Sequence, residues 1–222
     1  MSDKYNKLTF SNSNLKVKLH HLNDYLRPMN FLAHIYLSND NDFVKIGNFM
    51  ADGIRGNNHH EFPDDIRKGV ILHRAIDTFT DAHPVFRQSK HRLHEAYGHY
   101  SGVIIDVFYD HFLAKNWRQY SEVPLADYVD HFYQILQNNH DLLTPRTQGL
   151  LPYMIAQNWL VSYASIDGIA KILFQMDHRS KNKSKMQHAV KELQEFYTDF
   201  EDEFTLFFEE LRIFANQKLV LL

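Results

Sequence analysis

The chain reads as one all-α domain, a helical bundle of about eight or nine helices. Three observations predict it. From Met29 onward, apolar residues recur every three or four positions, the period of an amphipathic helix. The 222 residues hold only 8 Gly and 6 Pro, too few for a turn-rich β-protein. No segment joins strand alternation to hairpin turns, and none repeats at a solenoid period.

The elements follow in order. "NFLAHIYLS" predicts a short helix with Phe31, Leu32 and Ile35 inward. After "NDND", the spacing of Phe43, Ile46, Met50 and Ile54 predicts a helix from about Asp42 to Arg55, ended by Gly56-Asn57. Pro63 with Asp64 and Asp65 opens a helix running to about Thr80, its acids favouring the positive end of the dipole. Pro84 opens the next. Ser101 is placed to cap "GVIIDVFYDHFLAKNW". Pro124 opens "LADYVDHFYQILQNN", and Pro145 a segment that Pro152 should split or kink. "SIDGIAKILFQM" is a further helix and "RSKNKSK" a basic linker. Met186 to about Asn216 is a long amphipathic helix carrying Leu193, Phe196, Phe200, Phe204 and Phe207.

Composition bounds the function. Hydrophobic residues make up 44% and aromatics 14%, with 17 Phe and 12 Tyr, enough for a sizeable core. There is no cysteine, hence no disulfide and no thiolate metal site, which fits the reducing cytoplasm. A net charge of -3 argues against a general nucleic-acid binder, and no stretch reaches the roughly 20 apolar residues of a membrane helix. Residues 1–28 are polar, weakly patterned and without a secretory apolar core, and read as an N-terminal extension. Residues 29–222 are the helical domain.

The chemistry lies in "ILHRAIDTFTDAH", where His73, Asp77 and Asp81 occupy i, i+4 and i+8 of one predicted helix. A core-facing stripe normally carries Leu or Ile there. Three other predicted helices carry ligand-type residues in apolar surroundings: His34, then Asp52, then Asp106, Asp110 and His111. A buried carboxylate must be neutralised, paired or bound to a cation. Asp106 and Asp110 are i, i+4 and can share one site, while His111 lies roughly 100° round the helix from Asp110. One His–Asp pair at this spacing is usually a surface contact or a satisfied core pair. Repetition on four helices lifts the set above that. His and carboxylate oxygen suit Mn²⁺, Mg²⁺, Fe²⁺ or Zn²⁺, and such an ion can polarise a phosphoryl oxygen and acidify a bound water. Arg55 and Arg74 are candidates for holding a phosphate. Asp81 reads as a rim residue, and His59, His60, His83, His91, His94 and His99 as surface histidines.

Five blocks carry a family resemblance: "MNFLAHIYLS" from Met29, "GNFMADGIRGN" from Gly47, "HRAIDTFTDAHPVFR" from His73, "DVFYDHFLAKNW" from Asp106 and "NWLVSYASIDGI" from Asn158. In this order they resemble the bacterial acyl carrier protein phosphodiesterases and cover nearly everything after Met29. The resemblance implies hydrolysis of the phosphodiester that joins 4'-phosphopantetheine to a serine of holo acyl carrier protein. It implies Mn²⁺ dependence, with Mg²⁺ and Fe²⁺ as alternatives, and an all-helical, divergent HD-type fold. An HD motif has adjacent His-Asp, and here the only such pair, His140-Asp141, falls outside the matched blocks. The matched blocks offer the reversed Asp110-His111 and the spaced His73 and Asp77 instead.

The expectation is that His34, Asp52, His73, Asp77, Asp106 and Asp110 hold one or two metal ions. Asp52, His73 and Asp77 would serve catalysis, with Arg55 or Arg74 steadying the non-bridging oxygens. Holo acyl carrier protein, the implied protein substrate, is acidic and would dock on basic residues. Candidates are Arg179, Lys181, Lys183 and Lys185, or Arg87, Lys90 and Arg92. No nucleic-acid or membrane partner is expected, and the oligomeric state is not readable. Two other readings fit the same residues: an HD-type hydrolase of a small nucleotide, and a non-catalytic helical module that binds carrier protein.

Overall fold

The computed structural model describes residues 31–222, and the extension expected over residues 1–28 lies outside them. All regular elements among the described residues are helical. They are α1 (Phe31–Tyr36), α2 (Asp42–Met50), α3 (Asp64–Ala82), α4 (Pro84–Tyr97), α5 (Ser101–Lys115) and α6 (Leu125–Asn138). After these come α7 (Pro145–Ala156), α8 (Trp159–Ser162), α9 (Ile166–Arg179), α10 (Val190–Glu195) and α11 (Tyr197–Val220). No described helix is long and apolar enough to cross a membrane.

Helix α5 is the central element. Its sequence is mostly apolar, and Ile104, Ile105, Phe108, Phe112 and Leu113 are fully buried. Phe200, Phe204 and Phe208 of α11 close over it, with Phe112 and Phe204 stacked at 6.0 Å between centroids. Each buried Phe contributes about 1.5–3 kcal/mol. The same burial makes a polar side chain on α5 costly unless it finds a partner, and Asp110 finds two. Its carboxylate accepts the backbone N–H of Leu32 at 3.0 Å and of Ala33 at 2.9 Å. These are free donors at the start of α1, so Asp110 fastens α1 to α5.

Helices α2 and α3 touch backbone to backbone through Gly47 and Gly69. A Cβ on Gly69 would lie 2.6 Å from the Asn48 nitrogen and 2.9 Å from the Gly47 Cα. A Cβ on Gly47 would strike the Ile66 carbonyl. Only glycine at both positions permits this approach.

Several boundaries differ from expectation. Helix α2 stops at Met50 and continues as a 3-10 turn, Ala51–Gly53, so Asp52 sits on a tight turn after the helix. Asn41 caps α2, and Phe43, one of the residues whose spacing predicts the helix, is 41% exposed at its first turn. Ser101 is not a cap, because its hydroxyl turns back to the Gly98 carbonyl at 2.8 Å. Pro152 lies inside α7, and the break comes at Asn158, a left-handed residue. The final segment is split at Phe196 between α10 and α11. His83 is buried between Phe79 and Phe207, with Nε2 3.3 Å from Glu210. His59 is buried beside Arg74.

Arg92, a docking candidate by sequence, points inward. It forms a two-pronged pair with Glu203 at 2.7 and 2.8 Å and lies over the Phe196 and Phe200 rings. Ser89 and Gln88 also donate to Glu203. Burial would raise the Glu203 pKa, but these donors outweigh it and hold the carboxyl below its ordinary value.

Two consequences are measurable. Gly69→Ala should lower stability by about 1–3 kcal/mol or more, since backbone must move to admit the methyl; an unchanged melting temperature would mean that the crossing can part freely. For Glu203, the folded pKa is depressed, so its contribution is present above the unfolded value, roughly pH 4.3, and is lost as pH falls through the folded one. Urea titrations should therefore show wild-type stability falling more steeply than that of Glu203→Gln below that pH. Parallel acid limbs would contradict the assignment.

Candidate metal and active site

Asn48 organises the site, and its orientation follows from its partners. Its Nδ2 donates to the His34 carbonyl at 2.8 Å, which fixes that end as the amide nitrogen. The Ser38 hydroxyl gives its proton to the same carbonyl at 2.8 Å, so it accepts from Asn48 at 3.0 Å. Asn48 Oδ1 therefore faces two imidazoles: His34 Nδ1 at 2.7 Å and His73 Nδ1 at 3.2 Å. A carbonyl oxygen only accepts, so both rings carry a proton on Nδ1. The two rings stack at 4.1 Å and aim both Nε2 atoms the same way.

Carboxylates meet them there. His73 Nε2 lies 3.3 Å from Asp52 Oδ1 and 3.3 Å from Asp77 Oδ2. His34 Nε2 is buried 3.4 Å from Asp77 Oδ1, without hydrogen-bond geometry. The ligand-type atoms of His34, His73 and Asp77 all lie within 4.8 Å of one another. Bonds of about 2.1 Å to a divalent ion give coordination edges of roughly 3.0–3.4 Å, so these separations fit one. So does the donor chemistry: two imidazoles oriented through Nδ1 by a shared acceptor, with carboxylate oxygen opposite.

The electrostatics point the same way. A cavity of about 290 Å³ opens beside the group, walled by Asp52, His73, Asp77, Asp81 and Asp106 among others. Burial pushes the Asp106 carboxyl well above its ordinary pKa, and Asp77, Asp110, Asp81 and Asp52 add to this. Burial would lower His73, but Asp52 and Asp77 outweigh it and raise the ring to about 9. Burial and the neighbouring His73 lower His34. Burial would raise Asp77, yet the two histidines hold it well below the carboxylate range. The acids outnumber the positive charges available, which is the condition a cation relieves.

The predicted residues divide. His34, Asp52, His73 and Asp77 come together, and Asp106 lines the same cavity with Asp81. Asp110 does not join them, because both of its oxygens are taken by α1 and burial lifts its pKa to about 7. His111 faces away, bonded to the Tyr163 carbonyl and the Tyr197 hydroxyl. Arg55 is exposed and does not line the cavity. Arg74 is occupied in holding the loop after Asp52, donating to the carbonyls of Ile54 and Gly56. The cavity walls include Lys90 and His99 instead. Asn48 escaped the sequence reading, although a polar residue four before Asp52, between Ile46 and Phe49, was a usable signal.

The acyl carrier protein phosphodiesterase family model matches residues 29–211, which contain the whole site. This chain belongs to that family. Proteins named acyl carrier protein phosphodiesterase resemble it over most of their length. The one from Photorhabdus laumondii is 30% identical over 191 residues, covering 86% of this chain and 96% of the relative. That of Pectobacterium atrosepticum is 31% identical over 189 residues, covering 85% and 98%. That of Yersinia enterocolitica is 32% identical over 195 residues, covering 86% and 100%. No solved structure matches the chain. In this member of the family, the His–Asp group that could hold a metal ion stands beside the cavity walled by Asp52, Asp77, Asp81 and Asp106.

Asn48→Ala removes the acceptor shared by both imidazoles. It should cost about 1–3 kcal/mol through the buried donors it strands, and raise the Mn²⁺ concentration needed to lift the melting temperature by about 10–100-fold. An Mn²⁺ response equal to wild type would show that Asn48 does not orient the ligands.

Proposed function

We propose that this chain is a cytoplasmic, Mn²⁺-dependent phosphodiesterase acting on holo acyl carrier protein. It releases 4'-phosphopantetheine and leaves the apo carrier. The observation that carries the reading is the convergence of His34 Nε2, His73 Nε2 and Asp77 at the cavity, in a chain of this family. His34, His73 and Asp77 would hold the ion, with Asp52 and Asp106 as further carboxylates of the same shell. A bound divalent ion there supplies Lewis acidity to a phosphoryl oxygen and to water. The carboxylate-rich donor set favours Mn²⁺ over softer-site metals, with Mg²⁺ and Fe²⁺ as alternatives.

The protein's own part is positional. Asn48 keeps both imidazoles in one tautomer. Asp52 and Asp77 draw His73 Nε2 into the group. Arg74 secures the loop that follows Asp52. An acidic carrier would dock on basic residues that stay exposed. Arg87 qualifies at the cavity rim, since its side chain donates to the Asp81 carbonyl, and Lys181, Lys183 and Lys185 qualify on the loop after α9. Arg179 is half-buried over the Trp159 ring and so is less available than these exposed lysines.

The test is to incubate the protein with holo acyl carrier protein and Mn²⁺ and follow carrier mass. The whole prosthetic group should leave, the loss should stop with chelator, and added salt should raise KM as screening weakens docking. An intact carrier in the presence of bound Mn²⁺ would refute the reading, and turnover of a nucleotide instead would favour the small-molecule hydrolase.

A further inference from the structure

A phosphodiester is an anion, yet the wall of this cavity carries four carboxylates, Asp52, Asp77, Asp81 and Asp106. A divalent ion held by His34, His73 and Asp77 would offset part of that charge and supply Lewis acidity to the phosphoryl group. The phosphoryl group also needs a donor from the protein, and the arginines expected by sequence are elsewhere: Arg74 is tied to two carbonyls and Arg55 does not line the cavity. Lys90 of α4 does line it. Its stem crosses the start of α5, where Gly102 has no side chain, and its Cδ is 3.6 Å from where a Gly102 Cβ would stand. The ammonium lies two bonds beyond that Cδ, on a residue that shares the cavity wall with Asp77, Asp81 and Asp106. Despite these acids, Lys90 makes no ion pair or hydrogen bond among the described residues. A lysine with no partner among the described residues, on the wall of a cavity whose acids would repel a phosphoryl anion, is the cation on that wall available to bind one.

We propose that Lys90 is the phosphoryl-binding residue of this site, holding the non-bridging oxygen that faces away from the His–Asp group. The proposal rests on the phosphodiesterase reading for its substrate, but its chemistry is that of any phosphoryl group. A simple probe therefore separates the two: inorganic phosphate, titrated into Mn²⁺-loaded protein and followed by calorimetry.

Wild type should bind phosphate. Lys90→Met should weaken that binding about tenfold to hundredfold, as expected for loss of one charge-assisted hydrogen bond. It should leave Mn²⁺ affinity unchanged and lower kcat/KM on holo carrier by a similar factor. Lys90→Arg should restore most of both. Arg87→Gln, at the rim, should raise KM for the carrier and leave phosphate binding as it was. Lys90→Met binding phosphate like wild type, or wild type binding none, would overturn the inference. So would a Lys90→Met that raises only the carrier KM, as Arg87→Gln does, because Lys90 would then be a docking residue. If wild type leaves the carrier intact while phosphate binding still depends on Lys90, the substrate assignment falls and the phosphoryl site stands.

Discussion

The rest of the site depends on the contact between Gly47 and Gly69. It allows two helix backbones to meet with no side chain between them. Asn48 follows Gly47 directly, and His73 and Asp77 stand one and two turns beyond Gly69 on the same face. The crossing therefore fixes how far the Asn48 carboxamide is from the His73 ring. Any residue with a Cβ at the crossing would push α2 and α3 apart, and the shared hydrogen bond at 3.2 Å would be the first thing lost. A packing constraint with no chemistry of its own thus decides whether the chemistry exists.

Helix α1, which carries His34, is fixed differently. This helix is only six residues long, and short helices have little stability of their own. It is held at one end by Asp110, which accepts two of its free backbone donors, and further along by Asn48 and Ser38, both donating to the His34 carbonyl. His34 therefore arrives at the site through hydrogen bonds to its own backbone as well as to its ring. The cost of burying Asp110 is the cost of placing His34.

The charge distribution follows from these two anchors. Asp52, Asp77, Asp81 and Asp106 are carried to one cavity by three separate elements. Burial first, then Asp77, Asp81 and Asp52, raise the proton affinity of Asp106, and Asp52 and Asp77 raise that of His73, while Asn48, being neutral, adds no charge of its own. Carboxylates gathered in this way repel an anion that arrives without a compensating positive charge. The position of Lys90 at the same wall gains its meaning from that imbalance.

The sequence alone determined the helical class, most of the helix starts and the identity of the chemistry-bearing segments. Helix periodicity, proline starts and apolar surroundings are local properties, and they suffice to mark His34, Asp52, His73, Asp77 and Asp106 as unusual. Tertiary structure decided which of these belong together. Asp106 and Asp110 have the same spacing and apolar setting in sequence, yet one faces the cavity and the other fastens α1, because only the position of α1 distinguishes them. Arg74, expected at the phosphate, is tied to the loop after Asp52, and Lys90, expected on a docking surface, lines the cavity. A loop carbonyl within reach of Arg74 and a glycine beneath the stem of Lys90 are facts about neighbours distant in the chain, which no local pattern encodes.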